Sequence, residues 1–161
     1  MQKGRRAKRL SRGFSLIELL IVIAIILILV TIAVPMLDKI QMNARETAAI
    51  ADLRAMNQAQ LNFHNGQGKY ASNLQELCGT AGGTAGAAAK GEMSGTICTG
   101  EDHGYLFTVA SVSPPDGYTI DARPKTPGSS GKRFFYSDQN MIVRQSDKEN
   151  EPATPNSPQV K

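Results

Sequence analysis

Three common signatures of enzymes and metal proteins are missing from this sequence of 161 residues. The two cysteines, Cys78 and Cys98, do not have the Cys-x-x-Cys spacing of a redox site or a zinc knuckle. The glycine-rich repeat GTAGGTAG at 79–86 lacks the lysine and Ser/Thr of a phosphate-binding loop. No paired acids stand out as a glycosidase-type site, although sequence leaves open acids that pair only in space, and His64 and His103 are isolated. We therefore predict no catalytic residues and no enzyme activity, with a single-pass membrane enzyme as the alternative.

Charge is almost absent from residues 14–34, FSLIELLIVIAIILILVTIAV, where Glu18 is the one charged residue. As a helix this segment spans ~32 Å, which matches the hydrocarbon thickness of a bilayer. A buried helix in a soluble protein is the alternative. That alternative needs a large surrounding core, because the segment is apolar on every face, and the rest of the chain is small and polar. The segment is therefore predicted to be a membrane helix.

Acidic residues are absent from residues 1–13, which contain six basic residues. The whole chain carries a net charge of +4, so without these six positive charges residues 14–161 carry −2. A basic arm that binds nucleic acid is one interpretation. The adjoining apolar segment instead favours a leader that stays in the cytoplasm while the helix inserts. We predict a single-pass membrane protein with no nucleic-acid partner, whose remaining residues lie outside the cytoplasm.

Helical periodicity continues over residues 36–65, beyond the membrane segment. One apolar stripe comprises Leu37, Ile40, Ala44, Ala48, Ala51, Ala55 and Ala59, and a second comprises Ala49, Leu53, Met56 and Phe63. Both stripes fit a single amphipathic helix, which makes one long helix from about 15 to 64. Pro35 lies inside this helix and predicts a kink or local unwinding, because it lacks an N–H and clashes with the preceding turn.

Residues 66–104 are predicted to be a glycine-rich loop between the helix and a sheet. Cys78 and Cys98 lie on either side of its repeat. A disulfide and two free buried thiols are both possible for this pair, and a location outside the cytoplasm favours the disulfide. The bond would contribute ~3 kcal/mol in the chain-entropy description.

Residues 105–145 are predicted to form a small antiparallel sheet that packs on the amphipathic half of the helix. The strand segments are YLFTVA at 105–110, GYTIDA at 117–122, KRFFYS at 132–137 and MIVRQ at 141–145. Side chains alternate between the two faces within 105–110, and turn residues separate the segments, which is typical of hairpins. Tyr105, Phe107 and Val109 lie on one side of the first strand. Residues 146–161 are polar and proline-rich, which predicts a loosely held tail.

The stretch RGFSLIELLIVIAIILILVTIAVP at 12–35 closely resembles the N-terminal signature of type IV pilins and of type II secretion pseudopilins. The matching positions are Gly13, Phe14, Ser15, Leu16, Ile17, Glu18 and Pro35. The resemblance implies the α+β pilin fold, with a leader at 1–13 and a helix at 14–35 that first spans the inner membrane and then lines a filament core. It implies that prepilin peptidase cuts between Gly13 and Phe14 and methylates the new amine of Phe14.

The resemblance also implies a homo-oligomeric helical filament, built by a dedicated assembly machinery. The implied filament is an extracellular pilus, for which adhesion, motility and DNA uptake are all open roles. The pseudopilin of a type II secretion system, which stays periplasmic, and a minor pilin are the alternatives. In filaments of this family the helix often loses helicity around the proline that corresponds to Pro35, whereas a static kink is the simpler expectation.

The position of Glu18 within the apolar segment predicts a specific role for its carboxylate. A carboxylate within hydrocarbon costs ~2.5–3.5 kcal/mol, so it needs a partner. After cleavage the amine of Phe14 supplies a positive charge, which methylation keeps. We predict that this pair sets the register between subunits, and the alternative is that Glu18 only reaches the membrane surface.

The chain departs from the family in two ways. Many pilins have their disulfide near the C-terminus, whereas both cysteines here precede the sheet. Major pseudopilins bind calcium in a C-terminal loop, and this chain lacks the dense acids of such a loop. No cofactor or metal is therefore predicted, with calcium as the less favoured alternative. The aspartates available for it are Asp116, Asp121, Asp138 and Asp147.

Overall fold

The computed structural model describes residues 13–79, 93, 96–112, 116–148 and 151–160. The chain divides into two units, one that ends at Leu37 and one that begins at Asp38. Most of the leader and most of the glycine-rich repeat lie outside the described residues, so the expectations for them stay predictions.

Helix α1 spans Leu16–Gln67, which agrees with the long helix predicted from the sequence. At its start the carbonyl of Ser15 accepts the backbone N–H of Glu18 at 3.1 Å. At its end the N–H of Gly68 donates to the carbonyl of His64 at 2.8 Å. Gly68 has a φ of +70°, and a glycine adopts this left-handed conformation without a Cβ clash, which ends the helix.

The second unit contains a five-stranded antiparallel sheet in which each strand pairs with the next along the chain. The strands are β1 (Glu101–Asp102), β2 (Tyr105–Val112), β3 (Gly117–Pro124), β4 (Phe134–Asp138) and β5 (Arg144–Ser146). The four predicted strands correspond to β2–β5, and the two-residue β1 was missed. A short helix α2 (Leu74–Cys78) and a 3₁₀ turn (Ile97–Thr99) lie in the segment predicted to be a loop.

The sheet packs one face against the second half of α1, so the predicted α+β class is confirmed. Tyr105, Phe107 and Val109 are all buried on that face, as their alternation predicts. Other buried residues of the same core are Leu53, Met56, Leu77, Ile97, Tyr118, Ile120 and Phe135. The sheet leaves no room for a side chain at Gly131, whose Cβ would overlap the ring and hydroxyl of Tyr105.

Only one of the two predicted stripes of α1 faces the sheet. The buried residues of α1 are Glu46, Ala49, Ile50, Leu53, Met56, Asn57, Ala59 and Gln60. The stripe that contains Leu53 and Met56 is therefore correct. The stripe that begins at Leu37 and Ile40 is wrong as a core face, because both residues are more than half exposed and only Ala59 among its members is fully buried.

Polar residues on α1 occupy core positions that the sequence pattern did not assign. The side-chain amide of Gln60 donates to the carbonyl of Ala71 at 3.1 Å and accepts its N–H at 2.9 Å. Asn57 donates to the hydroxyl of Ser137 at 2.8 Å and accepts from the hydroxyl of Tyr118 at 3.0 Å. A buried amide is tolerated when both of its ends are hydrogen-bonded, and these partners become visible only in the fold.

The C-terminal segment 151–160 is held to the sheet, so the prediction of a loosely held tail is wrong. The N–H of Gln145 donates to the carbonyl of Pro158, and the N–H of Val160 donates to the carbonyl of Val143, both at 2.9 Å. Val160 also packs against the hydrophobic core. The polar composition of the segment concealed these backbone bonds, which do not depend on side-chain polarity.

Candidate functional site

The residues singled out for processing lie together at the start of α1. Gly13 and Phe14 precede the helix, and Glu18 lies in its first turn. Phe14 is 81% exposed, and no described atom lies within 4 Å of where a Cβ on Gly13 would be. The described chain therefore leaves the bond between Gly13 and Phe14 open to a protease. The exposed Glu18 carboxylate is placed where the helix dipole stabilises negative charge.

The large side chains of the apolar segment, residues 14–37, are exposed. These side chains belong to residues that are between 45% and 82% exposed. Part of the segment is long and apolar enough to cross a membrane, and none of that part is buried within the chain. Soluble monomers rarely expose a contiguous apolar surface larger than a few hundred Å², so this segment requires a membrane or partner chains around it.

Helix α1 continues through Pro35, and the kink or local unwinding expected there stays a prediction. Pro35 cannot donate to the carbonyl of Thr31, which therefore lacks its usual i+4 partner within the helix. The loss of helicity around Pro35 in a filament stays a prediction.

The cysteines that flank the glycine-rich repeat are bonded to each other in the structure. Cys78 is the last residue of α2, Cys98 lies in the 3₁₀ turn, and their Cα atoms are 5.9 Å apart. Leu77 and Ile97, their neighbours in sequence, are both in the core. The disulfide therefore joins two short elements that are also anchored by apolar packing.

A hydrogen-bonded cap holds the start of α2 and involves Glu76. The side chain of Asn73 accepts the N–H of Glu76 at 2.8 Å. The carboxylate of Glu76 accepts from Lys69 Nζ at 2.6 Å and from the N–H and hydroxyl of Ser72 at 2.8 and 2.6 Å. The hydrogen bond from Lys69, followed by those from Ser72, lowers the pKa of Glu76 from the usual 4.5 to about 2.

We expect Glu76 to titrate well below ordinary glutamates, with a pKa of about 2. Because the pKa is lower in the folded than in the unfolded state, the cap stabilises fully above about pH 4.5 and loses this contribution as the pH falls toward 2. A carboxyl NMR titration measures the shift. In Lys69→Ala the pKa should rise toward 4.5, and an unchanged low value in that variant would contradict the assignment to Lys69.

An ion pair links α1 to the segment before β4. The carboxylate of Glu46 accepts from Arg133 Nε at 2.7 Å and from the N–H groups of Lys132 and Arg133 at 2.8 and 3.3 Å. Arg133 also donates to Gln145 at 2.7 Å and lies over the ring of Phe135. Burial acts to raise the pKa of Glu46, but the hydrogen bonds from Lys132 and Arg133 outweigh it and lower the pKa. Glu46 is therefore ionised at neutral pH.

The fold brings one residue of α1 close to two residues at the β1–β2 turn. These residues are Asp52 on α1 and Asp102 and His103 at the turn. One possible ligand atom from each residue lies within 4.8 Å of the other two. Oδ2 of Asp52 is buried and has no hydrogen-bond partner in the described part of the chain. Burial raises the pKa of Asp52 to about 6, with His103 acting to lower it and Asp102 to raise it. We refer to these three residues as the Asp–His cluster.

The two histidines differ in their surroundings. His64 stacks on Tyr70 with ring centroids 4.5 Å apart, and packing explains it. The description of His103 as isolated is wrong, because it follows Asp102 in the sequence and the fold brings Asp52 of α1 close to both. None of the aspartates considered for calcium belongs to the Asp–His cluster. No spacing in the sequence indicated this cluster.

Two comparisons with known proteins each match part of the chain. The family model described as the prokaryotic N-terminal methylation motif matches residues 8–34, which contain Gly13, Phe14 and Glu18. The type IV major pilin protein PilA of Myxococcus xanthus (strain DK1622) is 40% identical over 67 residues. That match covers 42% of this chain and 30% of the relative. The chain therefore spans less than two thirds of the length of this relative, and the similarity concerns one segment of each protein.

Proposed function

We propose that this chain is a type IV pilin, a structural subunit of a pilus-like filament and not an enzyme, because it matches the prokaryotic N-terminal methylation motif and part of a type IV major pilin. The observation that carries this proposal is the apolar segment, which is exposed along its whole length apart from its contacts within the helix. A membrane covers such a surface before assembly, and neighbouring subunits cover it in a filament.

Processing by prepilin peptidase is the first step of the proposal. The basic leader stays in the cytoplasm, and the enzyme cuts between Gly13 and Phe14. Gly13 favours this reaction because a residue without a side chain lets the backbone approach an active site closely. The freed amine of Phe14 is methylated and remains positively charged.

Charge pairing between the processed N-terminus and Glu18 then sets how subunits stack. In one chain the amine of Phe14 and the carboxylate of Glu18 are separated by about one helical turn. Between chains, the amine of an arriving subunit meets Glu18 of a subunit that is already assembled. Only one axial stagger leaves neither charge unpaired in an apolar surrounding, where an unpaired charge is costly.

The apolar segment supplies packing in the filament but little driving force to leave the membrane. Burial of apolar surface from water contributes ~25 cal/mol per Å². Lipid tails already shield the segment from water, so exchange of lipid for neighbouring helices gains far less than this. Extraction therefore requires an assembly machinery that supplies energy.

The test of this proposal is the substitution Glu18→Ala. Removal of the carboxylate leaves the Phe14 amine unpaired in an apolar surrounding, which costs ~2.5–3.5 kcal/mol of free energy. Each 1.4 kcal/mol changes an equilibrium constant about tenfold. We expect the yield of sheared surface filaments to fall by about tenfold or more, while membrane insertion and cleavage persist.

The matched control is Asp38→Ala, which removes an exposed acid from the same helix outside the membrane segment. Its filament yield should equal that of the unmodified protein. Mass spectrometry of the membrane-bound subunit reports cleavage and methylation at Phe14. Normal filament yield from Glu18→Ala would refute the pairing role.

Copy number separates the major pilin from a pseudopilin or a minor pilin. In a major pilin, a subunit that begins at methylated Phe14 dominates long surface filaments. A short periplasmic filament indicates a pseudopilin, and a few copies at a filament tip indicate a minor pilin. Electron microscopy of sheared filaments with mass spectrometry of their subunit decides among the three.

A further inference from the structure

We propose that Asp52, Asp102 and His103 bind a divalent transition-metal ion of the zinc type between α1 and the β1–β2 turn. This inference is independent of filament assembly, because the cluster lies entirely within the unit that follows Leu37. The three residues come from two elements that are distant in sequence, so an ion here would pin the helix to the sheet.

The distances suit a metal site that closes on its ion. One ligand atom from each residue already lies within 4.8 Å of the other two. In a tetrahedral zinc site with bonds of about 2.0–2.1 Å, ligand atoms are about 3.3 Å apart. The side chain of His103 is 52% exposed, so its imidazole has room to rotate toward the two carboxylates. A water molecule would complete the coordination.

The buried oxygen of Asp52 is an independent indication of a ligand. Oδ2 of Asp52 is inaccessible to solvent and has no hydrogen bond within the described residues. A buried carboxylate oxygen without a partner costs free energy. A cation held by Asp52 and Asp102 would supply that partner and would neutralise both carboxylates.

Hydrogen bonds fix the orientation of the Asp102 carboxylate. The hydroxyl of Thr96 donates to Asp102 Oδ2 at 2.7 Å, and the N–H of His103 donates to Oδ1 at 2.9 Å. Metal-binding carboxylates are commonly held by such outer hydrogen bonds. His103 and Gly104 have φ values of +49° and +78°, so a tight two-residue turn presents the imidazole beside Asp102.

The ligand set favours zinc-type ions over calcium. An imidazole nitrogen with two carboxylates is typical of zinc and related transition metals, whereas calcium takes six to eight oxygens. Cys78 and Cys98 are bonded to each other and offer no thiolate. His64, the other histidine of the chain, stacks on Tyr70, so it serves as a matched control.

The experiment uses the untagged full chain in detergent, stripped of metal with a chelator. Addition of ZnCl₂ should raise Tm by about 5 °C or more at a concentration near 100 Kd, and CaCl₂ should not. CoCl₂ should give visible absorption with the intensity of a low-coordinate site. His103→Asn, which tolerates the positive φ, and Asp52→Asn should each weaken zinc binding at least about tenfold.

His64→Asn should bind zinc as the unmodified chain does. Asp52→Asn should also keep or raise the Tm of the metal-free protein, because it removes an unpartnered buried carboxylate. A purely structural role for Asp52 would instead lower that Tm. Equal zinc binding by His103→Asn and the unmodified chain, or a calcium response without a zinc response, would overturn the proposal.

Discussion

Replacement of Glu46 by alanine should lower the free energy of unfolding by about 3–5 kcal/mol, the cost of removing one partner of a buried ion pair. The side chain of Glu46 is 6% exposed and that of Arg133 is 29% exposed. The substitution leaves the guanidinium without its carboxylate and leaves the N–H groups of Lys132 and Arg133 without their acceptor. It also removes a link between α1 and the segment before β4.

Urea unfolding of the full chain in detergent, followed by circular dichroism, measures this effect. The variant Glu46→Gln keeps the shape and one acceptor oxygen, so it should lose less stability and remain folded if the alanine variant does not. Glu151→Ala is the control, because Glu151 pairs with Lys148 at 3.0 Å on the surface and should cost at most about 1 kcal/mol. Equal losses for Glu46→Ala and Glu151→Ala would contradict a structural role for the buried pair.

The second large effect concerns the disulfide. The double substitution Cys78→Ala and Cys98→Ala should lower the free energy of unfolding by about 3 kcal/mol. The bond closes a loop between residues that are 20 positions apart. Without it the unfolded chain regains the entropy of that loop, while the apolar packing of Leu77 and Ile97 remains.

Reduction of the unmodified chain provides the matching measurement. Dithiothreitol should shift its urea midpoint to that of the double variant and should leave the double variant unchanged. A reductant effect of the same size on both proteins would show that the disulfide is not its cause.

The elements with regular side-chain patterns were predictable from the sequence. The burial of Tyr105, Phe107 and Val109 follows from a period of two residues, which only a strand with one buried face satisfies. The extent of α1 follows from good helix formers bounded by glycine. Short elements such as β1 carry too few residues for any period, so sequence could not reveal them.

The orientation of α1 against the sheet was harder to predict. The second half of α1 has two neighbouring apolar stripes. One consists mostly of alanines, and a sequence pattern does not distinguish it from the stripe with larger residues. The larger Leu53 and Met56 determine the buried face, because they remove more apolar surface from water than alanine does. Gln60 and Asn57 then lie in the core, where backbone and side-chain partners from distant segments satisfy them.

The candidate sites also differ in whether the sequence alone predicts them. Gly13, Phe14 and Glu18 are contiguous and form a motif that sequence alone contains. The Asp–His cluster depends on a turn that brings His103 next to a helix residue, and no local pattern encodes that proximity. Sites built from a single segment are therefore visible in a sequence, whereas sites built across elements require the fold.

The pairing of the C-terminal segment with β5 has a consequence for how copies of this chain associate. Unpaired outer strands invite edge-on strand addition between molecules and hence aggregation. Here residues 158–160 pair with the backbone at and beside β5, and the opposite edge of the sheet is the acidic two-residue strand Glu101–Asp102. Both edges therefore disfavour edge-to-edge strand pairing between the sheets of two copies.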